Sequence, residues 1–266
     1  MKRLFMTISM AVLLIAGGHC AFAAKGKNIK IDTIRFAKAD TTANVELFVH
    51  WPVKGDKAVV DSLQKFIGSL VDCNFSDAKS IKDYGESLFE SLSIDWHSTF
   101  DEMPPDERLG ALERTYSIIK LHETKRYVTY HYHTFEYGGG MHGYTTEVGF
   151  TFRKSDGKQI KLLENTDSPE LAQLIKEGIK SFFAGGPDQT ITDEEVLEYL
   201  FAEDVDDLDN IPLPLNAPYL SDTGVVFLYT QYEIAPYSSG IITFEVPFKD
   251  IMPYLTEEAK ELIPRQ

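Results

Sequence analysis

The residues best suited to chemistry lie in two loops that are rich in glycine and tyrosine. Residues 137–143, the glycine loop, read Tyr-Gly-Gly-Gly-Met-His-Gly and contain one imidazole, that of His142. Residues 231–240, the tyrosine loop, read Gln-Tyr-Glu-Ile-Ala-Pro-Tyr-Ser-Ser-Gly. An imidazole can act as a general acid or base, ligate a metal, or hold two loops together through a hydrogen bond. We favour a link from His142 to the loop that contains Tyr237, because no nucleophile or partner carboxylate is identifiable by spacing.

The glycine loop also spells Gly-x-Gly-x-x-Gly, the dinucleotide-binding fingerprint, between Gly138 and Gly143. In nucleotide-binding proteins this motif ends a strand and opens a helix whose N-terminus holds the pyrophosphate. Here the following residues, 145–152, alternate in polarity and are rich in strand formers. The sequence therefore disfavours nucleotide binding, and we expect the glycines to provide positive φ angles or a close backbone approach.

A pair of histidines, His131 and His133, lies two residues apart in a strand-like segment. On a strand they share one face about 6–7 Å apart, a spacing used by zinc-binding strands. A tight turn at residues 124–125 would place His131 opposite Ile118, with His122 about 13 Å further along that face. No third ligand is evident unless the glycine loop folds back, so we predict no metal site and no cofactor.

Two other features have simple structural interpretations. The acidic segment 203–209 resembles a calcium loop in composition, but Leu208 and Asp209 occupy positions that need a ligand and a glycine. We expect an exposed acidic loop there, with a weak cation site as the alternative. Cys73 follows the apolar face of a predicted helix and is expected to be a packed thiol. The hydrolase elbow Gly-x-Ser-x-Gly, the zinc motif His-Glu-x-x-His and the P-loop lysine motif are absent from the sequence.

Tyrosines are concentrated around the two loops, and one apolar face with one polar tip suits them to binding surfaces. Sheet interiors also use tyrosine, so we expect the residues in or next to the loops to be the exposed ones. The candidate binding residues are Tyr137, Gly138, Gly139, His142, Tyr144 and Tyr237. No catalytic residue is predicted.

The patterns Tyr-Gly-Gly-x-x-His-Gly and Tyr-Glu-Ile-Ala-Pro-Tyr-x-x-Gly in these loops resemble a domain of unknown function. That domain forms the outer part of the lysozyme-sensing anti-sigma factor RsiV and precedes the catalytic domain of some peptidoglycan deacetylases. The resemblance implies a lysozyme-binding module. The inner sigma-binding segment, the membrane helix and the deacetylase domain have no counterpart here, so neither signalling nor deacetylation is expected from this chain.

The first residues are typical of a secretory signal. Lys2 and the arginine after it precede an apolar run at residues 6–16, and a small-x-small pattern ends at Ala23. The run is too short to span a bilayer, which needs about 20 apolar residues. We predict a signal peptide at residues 1–23 and a periplasmic or secreted protein without a transmembrane segment. A lipid anchor on Cys20 is disfavoured because His19 stands where a small residue is required.

The net charge of −15 excludes some partners and favours others. Binding to nucleic acid or an anionic membrane depends on lysine and arginine, so neither is expected. The same field attracts cationic partners such as a lysozyme, although the charge can also serve only to keep the protein soluble.

The elements that position the loops alternate between strands and helices. Strand patterns at 29–36 and 45–51 precede two amphipathic helices, the first capped by Asp56 and the second beginning near Asp77. Strand patterns then dominate, followed by a helix after Ser168, a short capped helix after Thr192 and a closing hairpin. We predict an α+β fold with antiparallel sheets and packed helices in two intimate lobes, an N-terminal lobe at 24–112 and a C-terminal RsiV-like domain at 113–266.

These observations predict a non-enzymatic exported binding protein of the cell envelope whose ligand is a lysozyme, another cationic protein, or peptidoglycan. The alternative is an envelope hydrolase that uses His142 with an acidic or metal partner. A scaffold for another protein is the third interpretation.

Overall fold

The computed structural model describes residues 28–263 except 72, 74, 105, 187–188, 202–204 and 206. The predicted signal peptide lies outside the described residues. Two sheets are present, one with strand order β1-β2-β3-β4-β5 and one with order β6-β7-β8. The strands are β1 Lys30–Ala39, β2 Ala43–Lys54, β3 Leu112–Glu123, β4 Tyr127–Tyr137, β5 Tyr144–Arg153, β6 Tyr219–Leu220, β7 Gly224–Tyr229 and β8 Ile242–Pro247. The helices are α1 Lys57–Leu70, α2 Ala78–Phe100, α3 Pro169–Ala184, α4 Asp193–Leu197, α5 Phe248–Ile251 and α6 Glu257–Lys260. The predicted α+β class is confirmed.

The first hydrophobic core lies between the five-stranded sheet and the helices α1 and α2. Alternate residues of β2 are buried, among them Val45, Leu47 and Val49. Asp56 and Asp77 cap the two helices as the sequence predicts. One strand pair departs from the expected antiparallel pairing, because β2 and β3 run parallel. The two helices supply the long crossover that a parallel pair requires.

The second hydrophobic core lies between α3 and the three-stranded sheet. Ser168 caps α3 and Gly185 ends it in the left-handed conformation, as the sequence predicts. The buried face of α3, with Leu171, Ile175 and Ile179, packs over β8. None of the helices in the described part is both long and apolar enough to cross a bilayer.

The two cores meet where β6 crosses β4 and β5, on the face opposite α1 and α2. The hydroxyl of Thr129 donates to the carbonyl of Leu220 at 2.8 Å, and the amide of Leu220 donates to the hydroxyl of Thr151 at 2.9 Å. The ring of Tyr219 fills the space where Gly149 lacks a Cβ. The large sheet runs through both predicted lobes, with β3 at its centre. The predicted boundary between residues 112 and 113 stays a prediction.

Candidate functional site

The glycine loop connects β4 to β5 and depends on its glycines for its shape. Gly139 and Gly140 have φ angles of 91° and 106°, which side chains other than glycine rarely adopt. The hydroxyl of Tyr137 donates to the carbonyl of Gly140 at 3.0 Å. A Cβ on Gly139 would lie 3.1 Å from the side chain of Leu109, so the loop rests on that residue. The predicted need for positive φ angles is confirmed.

His142 connects the glycine loop to the tyrosine loop. Its ring stacks on Tyr237 with centroids 3.9 Å apart and an interplanar angle of 22°. Nδ1 donates to the carbonyl of Gly143 at 2.9 Å, which leaves Nε2 to accept from the hydroxyl of Tyr232 at 3.1 Å. Through these contacts the His142 side chain holds the two loops together, which is the role favoured from the sequence. No carboxylate is among the contacts of His142 in the described part of the chain.

The backbone of the tyrosine loop is strained at Tyr232, whose φ of 65° lies in the left-handed region. Glu233 fastens the loop by accepting hydrogen bonds from the amides of Thr230 and Leu215. Gln231 accepts a hydrogen bond from the amide of Thr145 on β5. Strain of this kind persists when the surrounding contacts over-determine it, and it is common at binding sites.

The strain at Tyr232 gives a prediction about stability. Replacing Tyr232 with alanine keeps the left-handed conformation and its cost, whereas glycine removes that cost of about 1–2 kcal/mol. We expect Tyr232→Gly to unfold at a higher denaturant concentration than Tyr232→Ala, although glycine lowers stability at most positions. Chemical denaturation of both variants measures the difference. Equal stability would mean that the loop relaxes when the ring is lost.

The side chains around His142 are exposed to different degrees. Met141 is 100% exposed and Tyr232 is 48% exposed, while Tyr137 and Tyr237 are half-buried. Tyr144 is exposed, but it pairs with Glu136 and alternates with Thr145, so it lies on the helix-covered side of the sheet, apart from the His142 contacts. Sequence reasoning did not select Met141 or Tyr232. Both residues lie within the two loop motifs, but the exposure of their side chains depends on tertiary packing.

The histidine pair on β4 contacts the carboxylate of Glu147, which the sequence did not indicate as a partner. Nδ1 of His133 donates to Glu147 at 2.9 Å, and Nε2 of His131 lies 3.6 Å from the other oxygen of Glu147. His131 and His133 lower the pKa of Glu147, against burial that raises it. Among the described residues, no group of three or more His, Cys, Asp or Glu side chains is arranged to hold a metal ion.

The register of this pair differs from the expectation by one residue. His131 lies opposite Ile119 instead of Ile118. The pairing of Glu123 with Val128 places the turn one residue later than expected, which alone would put His131 opposite Lys120, and a bulge between Lys120 and His122 moves it back by one. A bulge inserts an unpaired residue and shifts every pairing beyond it. His122 instead contacts Asp222 at 3.2 Å.

The acidic segment 203–209 is described in part. Asp209 pairs with Lys176 of α3 at 2.7 Å, and Asp207 accepts a hydrogen bond from the amide of Asp209. Asp209 also lines a cavity of about 550 Å³ beside the start of α3. The lining contains no histidine or cysteine, so it offers neither an imidazole nor a thiolate as a metal ligand. Its hydroxyl groups are those of Thr166 and Ser168, and Ser168 caps α3. The weak cation site stays a prediction, and Cys73 is half-buried.

One family model matches residues in the C-terminal part of the chain. Residues 162–249 match the family described as "Protein of unknown function (DUF3298)", so the chain contains a DUF3298 domain. The tyrosine loop lies within the matched residues, and the glycine loop lies before them. No curated protein matches the sequence significantly.

Two solved structures of DUF3298 proteins have a similar fold. A protein from Bacteroides fragilis NCTC 9343 superposes with a TM-score of 0.71 and 18% identity, over 87% of this chain and 95% of its own. A protein from Pseudomonas aeruginosa PAO1 gives a TM-score of 0.55 and 13% identity, over 89% of this chain and 98% of its own. The similarity in fold therefore extends well beyond residues 162–249.

Proposed function

We propose that this chain is an exported binding protein of the cell envelope and that its two linked loops form the ligand surface. The observation that carries the proposal is the contact of His142 with both Tyr232 and Tyr237, beside the fully exposed Met141. Clustered aromatic and methionine side chains are enriched at protein interfaces. Holding them in one conformation before binding reduces the entropy lost on association.

The charges beside the glycine loop favour a cationic protein as the ligand. Asp101, Glu102, Asp106 and Glu107 are exposed and precede Leu109, on which the loop rests. The guanidinium of Arg108, which follows Glu107 in the chain, donates to the carbonyls of Asp101 and Met103. An apolar centre with an acidic rim is complementary to a basic partner.

A lysozyme is the specific ligand that we propose. The resemblance of the glycine and tyrosine loops to the outer domain of RsiV supports this choice, and lysozymes are cationic proteins found at the bacterial wall. Location outside the cytoplasm rests on the signal-like residues 1–23. The binding proposal is favoured over hydrolysis because the described contacts of His142 are with tyrosines and a backbone carbonyl.

Calorimetric titration with a lysozyme tests the proposal. We expect one-to-one binding at low salt and at about 0.15 M salt, where surface charges beyond about 8 Å are screened. An equally cationic protein of unrelated shape should not bind at the higher salt. Met141→Ala should weaken binding by at least about tenfold, since an exposed side chain at the centre of an interface becomes buried on association.

The matched control is Val53→Ala, which removes an exposed aliphatic side chain near the end of β2, 44% exposed in the folded chain. Asn44 pairs with Glu113, which pairs with Tyr137 at the start of the glycine loop. Val53 lies nine residues after Asn44 along β2, so it is roughly 30 Å from the glycine loop at strand rise. Binding of both cationic proteins that disappears with salt would mean attraction by charge alone. Absence of heat would reject lysozyme as the ligand. Hydrolysis of wall glycan that His142→Ala abolishes would establish the alternative.

A further inference from the structure

One face of the five-stranded sheet contains a row of side chains in direct cross-strand register, one from each strand. The row comprises Arg35, Phe48, Ser117, His133 and Glu147, in the order of the strands β1 to β5. Cross-strand partners project from the same face, so the five groups form one line across the sheet. The row lies on the face opposite α1 and α2, since the neighbouring residues in each strand supply the buried core on the helix side.

Most of this face is open. β6 covers it over β4 and β5, where Thr129 and Thr151 bond to Leu220. No helix or strand of the described part makes substantial contact with that face over β1, β2 and β3. Arg35 is exposed, and Phe48, Ser117 and His133 are half-buried. The row is therefore accessible to a ligand.

The cationic end of the row is held in place. The guanidinium of Arg35 lies 4.5 Å from the centre of the Phe48 ring, and it makes no ion pair with a described residue. His50, next to Phe48 on the same face, accepts a hydrogen bond from the amide of Lys120. Burial together with the charges of Lys120 and Arg35 lowers the pKa of His50. Arg35 is therefore the positive charge of the row, and the exposed Glu46, opposite Ala37, is the nearest acidic residue along β2 on the same face.

The other end of the row supplies hydrogen-bonding groups. Nδ1 of His133 donates to Glu147, and Nε2 makes no hydrogen bond with a described residue. The negative charge of Glu147 is shared between His131 and His133. The hydroxyl of Ser117 makes no hydrogen bond among the described residues. These groups lie on β3 and β4, next to the stacked Arg35.

The spacing of these groups suits a carboxylate. Arg35 leans over β2 and His133 stands on β4, so the two lie about two strand spacings, or roughly 9–10 Å, apart. A carboxylate above Ser117, with a charge-assisted hydrogen bond of about 2.8 Å on each side, spans that gap. Because Nδ1 of His133 already donates to Glu147, Nε2 donates to the ligand in the imidazolium form, which carries both protons. Ile119 and Phe135, half-buried on the same face, flank the position and can pack against an apolar side chain.

We propose that this row is a binding site for the C-terminal carboxylate of a short peptide with a small apolar last residue. Arg35, Ser117 and His133 bind the carboxylate, and Ile119 and Phe135 contact the side chain. The site adjoins the two linked loops, because the ring of Phe135 packs against Gly143, but its polar groups lie outside both loops, so its test is separate from that of lysozyme binding.

Titration of the full chain with N-acetyl-alanyl-alanine tests the proposal, followed through the imidazole resonances of His133 in NMR spectra and by calorimetry. We expect saturable binding and a shift of the His133 resonances. The C-terminal amide of the same dipeptide should bind at least about tenfold more weakly, because it lacks the charge that Arg35 recognises. Acetate should also bind at least about tenfold more weakly, because it lacks the apolar part.

Variants of Arg35 and Lys65 distinguish specific recognition of the dipeptide carboxylate from attraction by any positive charge on the protein. Arg35→Ala should weaken dipeptide binding at least about tenfold, and Arg35→Lys should weaken it less, because lysine keeps the charge but loses the planar fork. Lys65→Ala is the matched control, since Lys65 is exposed on α1, on the other side of the sheet. Equal binding of the amide, absence of any His133 shift, or equal effects of Arg35→Ala and Lys65→Ala would overturn the site. Acetate binding as tight as the dipeptide would overturn the peptide assignment.

Discussion

Replacing Glu123 with glutamine is expected to lower the free energy of unfolding by about 3–5 kcal/mol, the cost of breaking a buried ion pair. One oxygen of Glu123 accepts hydrogen bonds from Lys154 at 2.6 Å and from the amide of Ile29 at 2.8 Å, and the other accepts from Lys120 at 2.7 Å. The side chain of Lys154 is 2% exposed. The variant therefore leaves an ammonium buried without a counter-charge. Guanidinium denaturation followed by circular dichroism measures the loss.

The control for this prediction is Glu257→Gln, which removes a charge from an exposed pair with Lys260. Such pairs contribute about 0–1 kcal/mol, so little change is expected. If Glu123→Gln costs no more than the control, the network does not stabilise the fold. Replacing both Glu123 and Lys154 with leucine and methionine should recover part of the loss, because both charges are then removed together.

Acid should remove the stabilisation that the ion pairs of Glu123 provide. Burial alone raises the pKa of Glu123, but the hydrogen bonds from Lys120 and Lys154 outweigh it and the pKa lies below its ordinary value. A lowered pKa means that the stabilisation is complete above the unfolded value of about 4.3 and is lost as the pH falls through the folded value. The difference between the wild-type chain and Glu123→Gln should therefore be constant near neutral pH and shrink below about pH 4.

Replacing Gly178 with alanine is expected to destabilise the second core, although alanine is the better helix former. Helix propensity alone predicts a gain of about 1 kcal/mol in α3. A Cβ at this position would lie 2.0 Å from the ring of Phe244, which stacks on the fully buried Phe227 at 5.6 Å. Overpacking of a rigid core costs about 1–3 kcal/mol, and so short a contact belongs at the upper end. We expect a net loss of about 1–2 kcal/mol in chemical denaturation.

A double variant identifies the cause of that loss. Phe244→Leu alone should destabilise by leaving a space, but Gly178→Ala combined with Phe244→Leu should cost less than the sum of the two, since the added methyl group fills the space. Additive effects would show that Phe244 does not obstruct residue 178. A stabilising Gly178→Ala would mean that helix propensity outweighs packing at this position.

The starts of the capped helices and the end of α3 were predictable from the sequence because capping depends on neighbours within a few residues. Asp56, Ser168 and Thr192 each accept a hydrogen bond from the backbone of the helix that follows, as their positions indicate. Gly185 ends α3 in the left-handed conformation that glycine adopts most readily. The α+β class follows from the same local patterns.

Strand pairing was less predictable because it joins segments far apart in the chain. The parallel pairing of β2 and β3 is set by how α1 and α2 pack on the sheet. The later turn and the bulge beside Leu121 together shift the register of β3 and β4 by one residue from that of a tight hairpin. No local sequence pattern predicts the parallel pairing or the bulge.

The sequence by itself determined the net charge, the signal-like first residues, the starts of the capped helices and the two loop motifs. Each depends on composition or on near neighbours. The tertiary structure decided which groups meet: His142 with Tyr232 and Tyr237, Glu147 with His131 and His133, and the row from Arg35 to Glu147. Those contacts arise from strand order, register and burial, which many distant interactions determine together.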